Sequence, residues 1–110
     1  KSTYEIINQD TLKHMKASAY LINLGRGALV NENHLAQALA KNRIAGYASD
    51  VCVMEPPPKN SPLLAKGVRE KIIFSPHIAW ASQEARQRLI NEIALNIKAF
   101  RQNKKRNRII

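Results

Sequence analysis

Apolar and polar positions along the chain fall into two alternating periods, one helical and one extended. Asn8 reads as the N-cap of a short helix running to Met15, with Asp10 in its first turn. Ile7 before that cap and Leu12 five residues later have the spacing of a hydrophobic staple. The run Ala19–Leu24 (AYLINL) predicts a short strand buried on both faces, ending in the bent backbone of Gly25, Arg26 and Gly27. Asn31 then caps a second helix, Glu32–Lys41, and Val30 with Leu35 repeats the staple spacing. Ile44–Val53 (IAGYASDVCV) predicts a second buried strand, which Pro56, Pro57 and Pro58 bring to an end in an extended connection. Lys71–Ser75 predicts a third strand, stopped by Pro76. Ser82 caps a long helix to about Arg101, whose stripe of Leu89, Ile90, Ile93, Ile97 and Phe100 has a core-facing spacing.

Strands alternating with helices predict an α/β unit built on a parallel sheet of about three strands. In such sheets ligands gather beyond the C-terminal ends of the strands. That rule selects three places: Gly25–Gly27, Asp50–Glu55 and Pro76–Trp80. No internal repeat is visible beyond the alternation itself.

Composition narrows the picture only at its edges. The chain has 110 residues, 45% of them hydrophobic and 24% charged, which excludes global disorder and fits one domain or a piece of one. The uncharged run Ala17–Gly25 is about half the length of a membrane span, so no membrane partner is expected. Nothing at the start resembles a signal peptide, and a single cysteine forms no internal disulfide. A reducing compartment, most simply the cytoplasm, is therefore expected. No metal site is expected either, since the cysteine and histidines lack zinc-ligand spacing. The net charge of +10 is mainly a tail property: Lys98, Arg101, Lys104, Lys105, Arg106 and Arg108 carry six positive charges with no acid among them. Phe100 is the one aromatic in that stretch, and no nucleic-acid module surrounds it, so specific nucleic-acid binding is not expected.

Three strand ends carry ionisable side chains that could act together. Arg26 is permanently charged and forks two hydrogen bonds to a carboxylate. His77 can give or take a proton near neutral pH, and Glu55 beside it would favour the protonated ring and hold it in place. Asp50, within an apolar strand, is costly to bury without a partner. Arg, His and Glu at adjacent strand ends make a plausible reduction site for a 2-keto acid, lacking only a hydride donor. Each also has a plainer reading: Arg26 as a solvated turn residue, His77 as a core-edge histidine, Glu55 as a loop acid. His14 and His34 read as surface residues on helices, and Cys52 as a small core hydrophobe.

Three blocks, INLGRGALVNENHLAQAL, GYASDVCVMEPPP and SPHIAWASQEARQRL, resemble in order and spacing the C-terminal signatures of the D-isomer-specific 2-hydroxyacid dehydrogenases. The resemblance runs from about Ser2 to Phe100 and is most similar to the glycerate dehydrogenase (hydroxypyruvate reductase) subgroup. It implies half of a Rossmann-type doubly wound parallel sheet plus a long C-terminal helix. Residues 1–101 would be the C-terminal part of an NAD-binding domain with its closing helix, and 102–110 a basic tail. It implies NAD as cofactor, with NADP possible, and reduction of hydroxypyruvate or glyoxylate to the D-2-hydroxy acid by a longer, homodimeric enzyme. Carried over by motif, Arg26 would bind the substrate carboxylate, His77 would be the general acid, and Glu55 would pair with that histidine. Leu24, Gly25, Arg26, Asp50, His77, Ala79 and Trp80 would border the cofactor, Trp80 narrowing the pocket.

The chain also departs from what such an enzyme needs. A dinucleotide site takes a strand–GxGxxG–helix turn to hold the pyrophosphate. GRGALV has Val30 where the third glycine belongs, and Tyr47 stands where the ribose-binding acid would fall. That fingerprint is expected upstream of Lys1, and this chain alone is expected to be incomplete and inactive. The rival reading is a non-catalytic NAD(H)-binding protein of the corepressor kind, since fold alone does not establish turnover.

Overall fold

The computed structural model describes residues 3–109, in two compact units that divide after Ile78. In the first, Asn8 caps α1 (Gln9–Leu12), accepting from the backbone N–H groups of Asp10 and Thr11, while the Thr11 hydroxyl accepts from the Asn8 N–H in return. The helix ends at Leu12, not Met15, and His14 lies in the turn beyond it. Strand β1 (Tyr20–Asn23) leads through a 3-10 turn (Gly27–Leu29) to α2 (Glu32–Ala40), capped by Asn31 on the His34 N–H at 3.0 Å. Both staples close on the core: Leu12, Val30 and Leu35 are buried and Ile7 packs against them.

Strand β2 (Gly46–Ser49) follows, and two 3-10 turns (Pro62–Leu64, Arg69–Lys71) replace a crossover helix before β3 (Ile72–Phe74). Among the described residues the strands form one parallel sheet in the order β1-β2-β3. Asn23 is in register with Ser49, and Ser49 with Phe74, so the three C-terminal ends finish level. The backbone bonds Asp50 N–H to Asn23 O and Ser75 N–H to Ser49 O extend the ladder one step beyond them. The loops that follow β1, β2 and β3 therefore emerge along one edge, as the strand-end rule requires.

The sheet is covered on one face. Leu21, Tyr47, Ile72 and Phe74 point into a core built on Leu12, Leu35, Leu39, Ile44, Leu63 and Val68. Tyr20, Ile22 and Ile73 on the opposite face are exposed, which corrects the expectation that β1 is buried on both faces. The side chains are apolar on both faces, as a doubly covered parallel strand demands, but α1, α2 and the 62–64 turn supply only one layer.

The second unit holds α3 (Gln83–Arg101), capped by Ser82 on the Ala85 N–H at 3.1 Å. Its stripe of Leu89, Ile90, Ile93, Ile97 and Phe100 is exposed, against the expectation of a core-facing stripe, because no residue of α3 is buried in the described chain. The helix ends in a left-handed Asn103, with Lys104 N–H returning to Ala99 O at 2.9 Å. The basic tail is not simply solvated: Arg106 pairs with Glu92 on α3 at 2.8 Å, and Asn107 donates to Asn96. No helix among the described residues is long and apolar enough to cross a membrane.

Candidate active site

The first of the three loops is shaped by Asn23, a buried residue at the end of β1. Its side-chain oxygen accepts from the Gly25 N–H at 3.0 Å and its amide donates to the Arg26 carbonyl at 2.9 Å, closing the GRG turn. Gly27 follows with its Cα against the Cys52–Val53 peptide; a Cβ there would lie 2.1 Å from the Cys52 carbonyl carbon. The loop after β1 and the loop after β2 thus touch backbone to backbone. Arg26 itself is exposed, its guanidinium donating to the Gly25 carbonyl at 2.8 Å.

At the end of β2, the Ser49 hydroxyl donates to the Val51 carbonyl at 2.6 Å and accepts from the buried Tyr47 hydroxyl at 3.0 Å. That latch turns the chain so that Asp50, only 2% exposed, faces the loop after β3. Its Oδ1 accepts from the Ser75 hydroxyl at 2.5 Å and the Ile78 N–H at 2.9 Å, which offsets the cost of burying the carboxylate. The aspartate ties two strand ends together.

Glu55 does the same across the mouth of the site. Oε1 accepts from the Cys52 N–H at 3.0 Å and Oε2 lies 2.8 Å from Nδ1 of His77. His77 has φ of 56°, a left-handed backbone that histidine adopts more readily than most residues. Pro76 and this turn aim the imidazole back at the carboxylate. Both side chains are about two-fifths exposed, so the pair fixes orientation more than it adds stability.

The hydrogen bond to His77, and then the one from the Cys52 N–H, hold the Glu55 carboxyl below its ordinary value of 4.5. For a depressed carboxylate the stabilisation is present above the unfolded value and is lost as pH falls through the folded one. The Glu55–His77 pairing is therefore expected to survive acidification through pH 4.5. A carboxyl carbon titration by NMR checks this; a Glu55 midpoint at or above the ordinary value contradicts it.

Asp50, Cys52, Glu55 and His77 line one cleft of about 440 Å³ with Val51, Pro56, Pro57, Phe74, Ser75 and Pro76. Cys52 is only half-buried here, a correction to its reading as a core hydrophobe. Burial, with the nearby carboxylates of Glu32 and Glu55, pushes its thiol up, which disfavours the thiolate. His34 is also corrected: its Nδ1 is buried without a hydrogen-bond partner among the described residues.

Of the residues picked from sequence, Asp50, Glu55 and His77 are brought together. Arg26, Leu24 and Gly25 sit on the neighbouring loop outside the cleft lining, and Ala79 and Trp80 begin the second unit. Asn23, Ser49, Ser75 and Glu32 hold the loops and carried no signal beyond being small polar or helix-start residues. No group of three or more potential metal ligands occurs among the described residues.

The cleft fits one end of a dinucleotide. It offers an apolar wall of Val51, Phe74 and Pro76 with a carboxylate and an imidazole at its rim, a lining suited to a nicotinamide ring. The chain's glycines, at 25, 27, 46 and 67, supply no turn for a pyrophosphate.

The chain is similar to known proteins in sequence and in fold. The family profile for the D-isomer specific 2-hydroxyacid dehydrogenase NAD binding domain matches residues 1–79. A glycerate dehydrogenase of Methylorubrum extorquens is 43% identical over 105 residues, 96% of this chain and 33% of that protein. The crystal structure of an NADPH-dependent glyoxylate/hydroxypyruvate reductase from Sinorhizobium meliloti, in complex with citrate, superimposes with a TM-score of 0.68 at 34% identity. It covers 90% of this chain and 30% of that one. An acyclic imino acid reductase in complex with NADPH and D-Arg gives a TM-score of 0.79 at 33% identity, over 98% of this chain and 33% of that one. The chain spans about a third of the length of these relatives.

Proposed function

The chain belongs to the D-isomer specific 2-hydroxyacid dehydrogenases, within their NAD-binding domain, and from that premise we propose that it carries the proton-transfer half of a 2-keto acid reductase site. The whole protein would reduce a small 2-keto acid, hydroxypyruvate to the D-2-hydroxy acid or glyoxylate to the achiral glycolate. The observation that carries this reading is the Glu55–His77 pair, 2.8 Å apart at the rim of a cleft between level strand ends.

A nicotinamide dinucleotide bound at the site supplies the hydride. His77 gives its proton to the keto oxygen in reduction and takes it back in oxidation. With Nδ1 turned to Glu55, the proton in flight is the one on Nε2. Glu55 holds the ring through its bond to Nδ1. Arg26 leaves its neighbour's carbonyl to fork onto the substrate carboxylate and polarise the keto group. Asp50 fixes the spacing of the β2 and β3 loops and presents a carboxylate to the carboxamide side of the ring. Leu24 and Gly25 would border the same ring.

Arg26→Lys in the complete protein tests the substrate assignment. Lysine keeps the charge and loses the fork, so the KM for the keto acid should rise about 10–100-fold, the worth of one charge-assisted hydrogen bond. A near-normal KM in a steady-state assay removes Arg26 from carboxylate binding. An imino acid assayed in parallel separates this substrate class from that of the imino acid reductase it resembles in fold.

A further inference from the structure

We propose that Glu32, at the start of α2, is a positioning residue that holds Glu55, and through it His77, in the reactive arrangement. The inference rests on the reductase reading above and extends it to a residue outside the cleft lining. Glu32 Oε1 accepts from the Val53 N–H at 3.0 Å, across 21 residues of chain. The preceding N–H of the same loop, that of Cys52, goes to Glu55 Oε1 at 3.0 Å. Two consecutive amides are thus claimed by two glutamates, one fixed on a helix and one facing the histidine.

Little else anchors the loop at this point. Residues 52–58 contain no helix or strand, and Val53 and Met54 are 62% exposed. Gly27 supports the Cys52–Val53 peptide from one side by bare backbone contact. Glu32 supplies the directional bond that sets this peptide's rotation, and across the Cys52 Cα it restrains the preceding peptide, whose Cys52 N–H Glu55 receives. α2 is itself fixed by Leu35 and Leu39, both fully buried, and by the Asn31 cap. The rigidity of the core thereby reaches a carboxylate on an irregular loop. Asp50 and Cys52 are the other ionisable groups near Glu55, and neither bonds to the Val53 amide.

The test compares Glu32→Ala with Glu32→Gln in the complete protein. Alanine removes the acceptor; glutamine removes only the charge and keeps an oxygen for the Val53 N–H. Glu32→Ala should lower kcat about tenfold, short of the ~10²-fold that a 1 Å misplacement can cost, with KM for the keto acid little changed. Glu32→Gln should restore most of that rate. The second readout needs no turnover: the Glu55 carboxyl titration by NMR should return toward its ordinary value in Glu32→Ala and stay depressed in Glu32→Gln. If both variants match wild type in titration and kcat, or if both lose the Glu55 shift equally, the positioning role is overturned. A wild-type protein inactive on every keto acid refutes the reductase reading, and the titration still decides the role of Glu32.

Discussion

His77→Ala in the complete enzyme is expected to lower kcat for keto acid reduction by about 10²–10⁴-fold, the range general acid catalysis contributes. The substitution is a clean one. The side chain is 43% exposed, so its removal leaves no core cavity, and its partner Glu55 keeps its bond from the Cys52 N–H. Melting temperature and KM should therefore stay near wild type while turnover falls. Glu55 is left facing solvent, not stranded in the interior, so the loss reads as chemistry and not as unfolding. Steady-state kinetics with thermal melting on the same preparation check this. An unchanged kcat takes His77 out of the proton-transfer role, whatever the family resemblance implies.

The second large effect belongs to a residue without a side chain. Gly27→Ala places a methyl 2.1 Å from the Cys52 carbonyl carbon, 2.2 Å from its oxygen and 2.3 Å from the Val53 nitrogen. These are backbone atoms of a loop fixed at both ends, so no side chain can rotate out of the way. The loop bearing Arg26 and the loop bearing Glu55 must move apart, straining Glu32, Val53 and the Glu55–His77 pair together. Overpacking of this kind costs about 1–3 kcal/mol or more, and a displacement of an ångström at the reacting groups costs about 10²-fold in rate. Gly67→Ala is the control: Gly67 has φ of 79° but open space around it. It should lose about 1–2 kcal/mol to the left-handed backbone and keep its activity. If Gly27→Ala behaves like Gly67→Ala, the two loops are not in the contact described.

Much of this was legible in the sequence where a local rule was strong. Asn8, Asn31 and Ser82 cap the three helices as their side chains predict, and the staples of Ile7/Leu12 and Val30/Leu35 meet as spaced. The strands lie inside the runs that predicted them, shorter at both ends because pairing stops where the register does. Glu55 and His77, 22 residues apart, were brought to 2.8 Å as motif and strand-end rule together expected. The 3-10 turns at 62–64 and 69–71 were not foreseen, since a single turn carries no periodicity. Asparagines 42 and 103 end α2 and α3 in left-handed conformations where glycine would have signalled the stop. Asn23, Ser75 and Glu32 were invisible for another reason. Ser75 bonds the Asp50 carboxylate and Glu32 the Val53 N–H of distant segments, and Asn23 closes its own turn with a side chain that the apolar run around it does not single out.

The exposed faces have a related origin. Tyr20 and Ile22 on the sheet, and Leu89, Ile90, Ile93 and Phe100 on α3, have the pattern of core residues and are exposed. The chain spans a third of the length of its relatives, and a pattern records burial in whatever protein the sequence serves.

The central claim, that a hydride reaches the keto carbon while His77 protonates its oxygen, is tested most directly by isotope transfer in the complete protein. With nicotinamide deuterated at the transferable C4 position and hydroxypyruvate or glyoxylate as acceptor, the wild type should place deuterium on C2 of the hydroxy acid product. Hydroxypyruvate should give the D enantiomer, and His77→Ala should slow the transfer by the factor given above. Solvent hydrogen at C2, or transfer that proceeds at full rate without His77, would contradict the account.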